Sequence, residues 1–133
     1  MKTARTEFIK ALQAIKSIEK IAQNTEPQLY KDIKLVTSAY LEPLSKEIET
    51  TLKAVESNTT LNSIQNDTFS KTKSLIKTAI LASDKVWDIE DKIDKNKYST
   101  NNKEIYSKIK EAKLLLYNVQ YLAEDSYVIA KDA

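Results

Sequence analysis

Glycine, cysteine and histidine are all missing from the 133-residue chain, and proline occurs only at Pro27 and Pro43. Glycine supplies the positive φ of two-residue hairpin turns, Rossmann turns and phosphate-cradling loops, so its absence excludes hairpin-rich β folds and the common nucleotide-binding motifs. Without cysteine there are no disulfides, zinc–thiolate sites or thiol nucleophiles. Lack of histidine removes the usual general base, pH switch and transition-metal ligand, including the Glu-x-x-His pairs of di-iron bundles. Arginine is nearly absent too: Arg5 stands alone among 21 basic residues, against 19 acidic ones. The lysines alternate with acids instead of forming blocks, a pattern unlike the arginine-rich faces of nucleic-acid binders. These absences point away from an enzyme, a cofactor-binding protein and a nucleic-acid binder.

What remains is the composition of a helical protein, 41% apolar and 30% charged. The length suits one domain over residues 1–133, burying roughly 65–70% of its extended surface around a single core. No run approaches the ~20 apolar residues needed to cross a bilayer. Met1-Lys2-Thr3-Ala4 is followed by no apolar stretch of a secretion signal. The residues fit a cytoplasmic protein and a mature ectodomain equally.

Hydrophobic periodicity divides the chain into four amphipathic segments. In residues 4–23, Phe8, Leu12, Ile15, Ile18 and Ala22 recur every three or four positions, with Ile9 and Ile21 widening the stripe. Thr25 and Gln28 then form a capping-box pattern around Pro27. A second stripe follows through Leu29, Ile33, Val36, Tyr40, Leu44, Ile48, Leu52 and Val55. Pro43 lies inside it and predicts a kink near residues 39–42. The connection Ser57-Asn58-Thr59-Thr60 leads into a third helix, starting at Leu61 or freshly capped at Asp67, with a broad stripe from Phe69 through Trp87 to Ile93. Residues 94–102 read as the clearest loop. The last helix begins near Lys103, capped by Thr100 or a neighbouring asparagine, and uses Ile105, Ile109, Ala112, Leu116, Val119 and Ala123. Such segments are marginal alone and gain stability by sharing a core. The expected fold is therefore all-α: an antiparallel bundle of about four helices, the second kinked near Pro43.

Few residues offer chemistry. Asp84, Asp88 and Asp91 share helical spacing, but a rigid helix supplies no glycine-bent oxygen cage. The reading is a solvated face neutralised by Lys85, Lys92 and Lys95, with no metal and no cofactor. Serine and threonine hydroxyls lack the adjacent base that a nucleophile requires. The seven tyrosines and Trp87 are better candidates, because such rings bury large areas with few rotors at binding surfaces. They also stand at the borders of bundle cores with the hydroxyl in water, the reading favoured overall. Tyr98 beside Lys97 in the polar loop, with Tyr106, Tyr117 and Tyr121 on the last helix, form the expected partner-binding surface.

The stretch Phe69-Ser70-Lys71-Thr72-Lys73-Ser74-Leu75-Ile76-Lys77-Thr78-Ala79-Ile80-Leu81-Ala82-Ser83-Asp84-Lys85-Val86-Trp87 resembles in pattern a helix of the complement-inhibiting domain in the fibronectin-binding lipoproteins of Borrelia spirochaetes. The glycine-poor, Lys/Asn/Ile/Ser-rich organisation of the whole chain is similar to the helical ectodomains of surface lipoproteins from those bacteria. The resemblance implies an outer-surface protein, attached through a lipid anchor outside this sequence. It would capture a host protein, a serine protease of the classical complement pathway, and block it by direct binding. It transfers no functional residue. The alternative is a cytoplasmic adaptor, chaperone or immunity protein with a bacterial partner. In either case the chain is expected to be a monomer or a weak homodimer.

Overall fold

The alternation of apolar and charged positions resolves into helices throughout a computed structural model of the chain. It describes the backbone of residues 2–57, 61–95, 97–98 and 102–132, and the side chains of 2–53, 70–95, 97–98 and 102–125. Helix α1 spans Lys2–Ala22, α2 Pro27–Val36, α3 Glu42–Ser57, α4 Leu61–Asp94 and α5 Lys103–Asp132. A π-helical turn, Thr37–Leu41, joins α2 to α3, so these two are halves of one bent helix. Among the described residues the architecture is therefore four helices, all-α, in an up-down bundle. The short links make sequential neighbours antiparallel, and α5 packs against both α4 and α1.

The bend has a local cause. Pro43 carries no amide hydrogen, and in a regular helix its ring would press on the carbonyl of Ala39. Widening the preceding turn relieves that contact: Glu42 N–H donates to Thr37 O, five residues back. The Thr37 hydroxyl donates to Ile33 O at 3.0 Å and the Ser38 hydroxyl to Leu35 O at 3.3 Å, serving carbonyls at the edge of the widened turn. One correction follows. The extra residue advances the buried stripe by five positions, from Val36 to Leu41, so Leu41 occupies the core and Tyr40 lies half-buried at its margin.

Helix ends also differ in part from expectation. Thr25 does not cap α2; its hydroxyl donates back to Ile21 O at 2.8 Å and closes α1. Glu26 occupies the N-cap of α2 without a side-chain bond, and Gln28 donates to Asp32 at 3.0 Å. A proline in the first turn needs no acceptor for its missing amide, which lowers the demand for a cap. At α5, Asn102 Oδ1 accepts the amides of Glu104 (2.9 Å) and Ile105 (3.3 Å), satisfying two otherwise unpaired donors. The Thr100 alternative lies outside the described residues, as do Asn58-Thr59-Thr60. Helix α4 runs from Leu61 through Asp67 without the interruption considered there.

The core is one continuous cluster, drawing on Ile15 and Ile18, Leu29 and Ile33, Leu44 and Ile48, Val86, and Ile105, Ile109 and Leu116. Buried alanines sit on α1 (Ala4, Ala11, Ala14, Ala22), α4 (Ala79, Ala82) and α5 (Ala112, Ala123). Small side chains at contacts shorten interhelical distances, and α1–α5 and α4–α5 share the most extensive interfaces. Ile109 is fully buried on α5. Its replacement by alanine is expected to cost about 2–5 kcal/mol, read from urea unfolding followed by helical circular dichroism, because the closely packed neighbours collapse only partly into the space.

Candidate functional site

Helices α4 and α5 are held in register by a largely buried ion pair. Lys113 Nζ lies 2.9 Å from Glu90 Oε1, with side-chain exposures of 21% and 9%. The same ammonium lies 5.9 Å from the centre of the Trp87 ring. One turn earlier on α5, Lys110 sits over the Tyr106 ring at 4.4 Å. The Tyr106 phenol raises the Lys110 pKa, and Glu90 and Asp94 add to the shift. Glu90 Oε2 and Ser83 Oγ, also buried along this seam of α4, have no hydrogen-bond partner among the described residues.

From that pair the antiparallel helices run side by side. Ile80 lies seven residues back from Trp87 on α4, and Tyr121 lies eight residues on from Lys113 on α5. Both offsets are about two turns, which places Ile80 and Tyr121 at similar heights along the two helices. Leu114 and Tyr117 fall between. Trp87 is 52% exposed, Leu114 59%, Tyr121 58% and Leu81 47%. This is the largest gathering of exposed apolar side chains on adjacent helices of the described surface. Exposed apolar groups of this size, rimmed by charge, are a mark of interaction sites.

The residues expected at a partner surface separate into two groups. Tyr106 and Tyr117 are half-buried and Tyr121 is exposed, and all three fall along the α4 side or outer side of α5. Tyr98 is not with them, and its expected exposure is corrected. Its side chain is 6% exposed within the core cluster, and its hydroxyl donates to Asp32 Oδ2 at 2.6 Å. Asp32 also accepts from Gln28 and pairs with Lys92 at 3.6 Å, so one carboxylate joins α2, α4 and the α4–α5 connection. The ring has turned inward because the adjoining helix offers both an apolar site and a charged acceptor. Lys97 is exposed in the same connection.

Leu81 and Leu114 were missed by periodicity, and Ile80 and Trp87 were assigned to the buried stripe. The sequence holds a usable signal for part of this. Ile80-Leu81-Ala82 and Leu114-Leu115-Leu116 are runs of three apolar residues, and successive helical positions differ by about 100°, so a run of three leaves a member outside a narrow stripe. Only Ala82 and Leu116 are buried.

A second surface feature lies outside the π turn, a shallow depression of about 400 Å³ lined by Glu19, Lys34, Leu35, Thr37, Ser38 and Glu42. Pro43 accounts for that turn structurally. Among the described residues, no group of three or more acidic side chains is arranged to hold a metal ion, and no helix is long and apolar enough to cross a membrane. Comparisons with protein-family models, curated proteins and solved structures find no match to this chain.

Two measurements test this description. Burial and the Asp32 carboxylate raise the Tyr98 pKa well above the ordinary value near 10. A group raised in the folded state stabilises fully below its unfolded pKa and loses that contribution as pH rises above it. Tyr98→Phe is therefore expected to lower stability by about 1.5–3 kcal/mol near neutrality. The gap to wild type in urea midpoint should narrow above a pH of about 10. For the seam, Lys113→Met leaves Glu90 buried without its cation and is expected to cost about 2–3 kcal/mol, somewhat below a fully enclosed pair. Adding Glu90→Gln should recover most of the loss, as a double-mutant cycle of unfolding free energies would show.

Proposed function

We propose that this chain is a non-enzymatic protein-binding domain that meets its partner with the outer faces of α4 and α5. The observation carrying this reading is the set of large exposed apolar side chains on those two helices: Trp87, Leu81, Leu114 and Tyr121, with Ile80 at 38% exposure. Burial of such side chains at an interface supplies the main favourable energy of association, and tryptophan and tyrosine are enriched among residues that dominate it. The rigid helical backbone holds them in place before contact, which limits the ordering cost of binding.

The partner we assign is a host protein, the initiating serine protease of the classical complement pathway. This assignment rests on the resemblance of residues 69–87 to the complement-inhibiting lipoprotein domains. Within that stretch Ile80, Leu81, Asp84 and Trp87 are exposed on α4. In this reading the domain works as a surface-anchored inhibitor: it covers part of the protease by direct contact and performs no bond-breaking step.

The test is capture from human serum by the immobilised domain, followed by protein identification and a classical-pathway lysis assay. Enrichment of a complement protease together with loss of lysis is the expected result. Trp87→Ala with Tyr121→Ala should weaken the captured complex by about tenfold or more, because the two rings sit within the proposed contact. Tyr98→Phe, an internal change, should leave affinity unaltered. Capture with no complement protease, or full affinity in the double variant, would overturn the partner or the surface respectively.

A further inference from the structure

The face of α4 that turns away from the bundle between Leu81 and Asp91 carries an unbalanced negative charge. Asp84, Asp88 and Asp91 repeat at helical spacing beside Trp87, and the expected neutralisation by Lys85, Lys92 and Lys95 is realised only in part. Lys85 lies toward the Tyr40 ring, 5.5 Å from its centre, beside the π turn. Lys92 pairs with Asp32 of α2 at 3.6 Å. Lys95 lies on this face 3.0 Å from Asp91, and Lys85 borders it. Asp84 and Asp88 are exposed and make no ion pair among the described residues. Two like charges at i,i+4 destabilise the free helix, and Lys85, which lines the same face, pairs with neither of them. The chain as a whole is positive, with a net charge of +2, so the sign of this face runs against the average.

Leu81, Asp84, Lys85, Trp87, Asp88 and Asp91 together line an open depression of about 540 Å³. Trp87 contributes its half-exposed indole, with Lys113 Nζ 5.9 Å from the ring centre, and Asp84, Asp88 and Asp91 contribute carboxylates three and four residues apart. That combination suits a guanidinium or ammonium group: the cation rests on the indole while the carboxylates accept its N–H donors. Arginine fits best, since its planar group stacks and forks at once.

We propose that this face of α4 docks a basic segment of a partner protein, with an arginine or lysine side chain lying on Trp87 between Asp84 and Asp88. The proposal rests on the protein-binding reading and names the chemistry of the partner at one part of that surface. Complementary charge here speeds encounter and fixes which way round the partner sits, while the apolar side chains around it hold the complex.

Trp87 is the only tryptophan in the chain, so its emission reports on this site alone. The probe is a short peptide of alternating arginine and serine, with a glutamate–serine peptide of equal length as control. The expected result is a saturable change in Trp87 emission with the basic peptide only, weakened by added salt. Asp84→Asn with Asp88→Asn should lower the apparent affinity by about tenfold. Glu104→Gln with Asp125→Asn, an equal charge change at exposed sites of α5, should leave it unchanged. No saturable change, or equal weakening by both double variants, would overturn the proposal. Serum capture with the Asp84/Asp88 variant separates the two readings: undiminished capture of the protease would retain the binding function and discard the basic-segment assignment.

Discussion

Each helix is held in place chiefly by the burial of its apolar stripe against the stripes of the others. Isolated helices of this kind are marginal in water, and the chain has no disulfide or histidine–metal link to join them. The shared interior therefore does two jobs. It stabilises each helix, and it fixes which side of each helix is left outside. The exposed faces of α4 and α5 follow from the positions their core residues must take. Ile89 and Ile93 turn inward with Val86, and Ile109 and Leu116 turn inward with Ala112. Trp87 and Leu114 are then carried outward by helical geometry alone.

Polar contacts refine this arrangement at a few points. The carboxylate of Asp32 gathers Tyr98, Gln28 and Lys92, tying the α4–α5 connection to the second helix. Glu90 and Lys113 set the relative height of α4 and α5, and hence which exposed residues of the two helices become neighbours. Arg5 reaches Glu49 at 3.4 Å, and Lys34 reaches Glu19 at 3.7 Å. These last two are largely exposed pairs whose contribution is small. The distinction matters for the surface: Lys92, drawn to Asp32 of α2, no longer balances the acids on the outer face of α4.

The architecture was largely legible because its signal is periodic and redundant. Several core residues mark each helix, so a misplaced one does not alter the fold. Val36, Leu44 and Ile48 were enough to predict one bent element despite the exchange of Tyr40 for Leu41. Caps were less legible, since Thr25 has the same chemistry whether it closes the helix behind it or opens the next. The candidate surface was least legible. Whether Tyr98 faces solvent depends on Asp32, 66 positions away, and no local pattern encodes that meeting. The direction taken by Lys85 or Lys92 is equally a matter of which helix lies alongside.

The widened turn at Thr37–Leu41 has a consequence for how the chain tolerates changes of length. In a regular helix, losing or gaining one residue rotates everything beyond it by about 100° and turns the core face toward water. A π turn already contains one surplus residue, held locally. Removing one residue between positions 37 and 41, with Pro43 replaced by a residue that carries an amide hydrogen, would let the turn tighten to ordinary α geometry while α3 kept Leu44, Ile48 and Leu52 pointed inward. Length and phase are uncoupled at this one place in the bundle. It is where the second helix could drift in sequence length over generations without the rest of the fold having to follow.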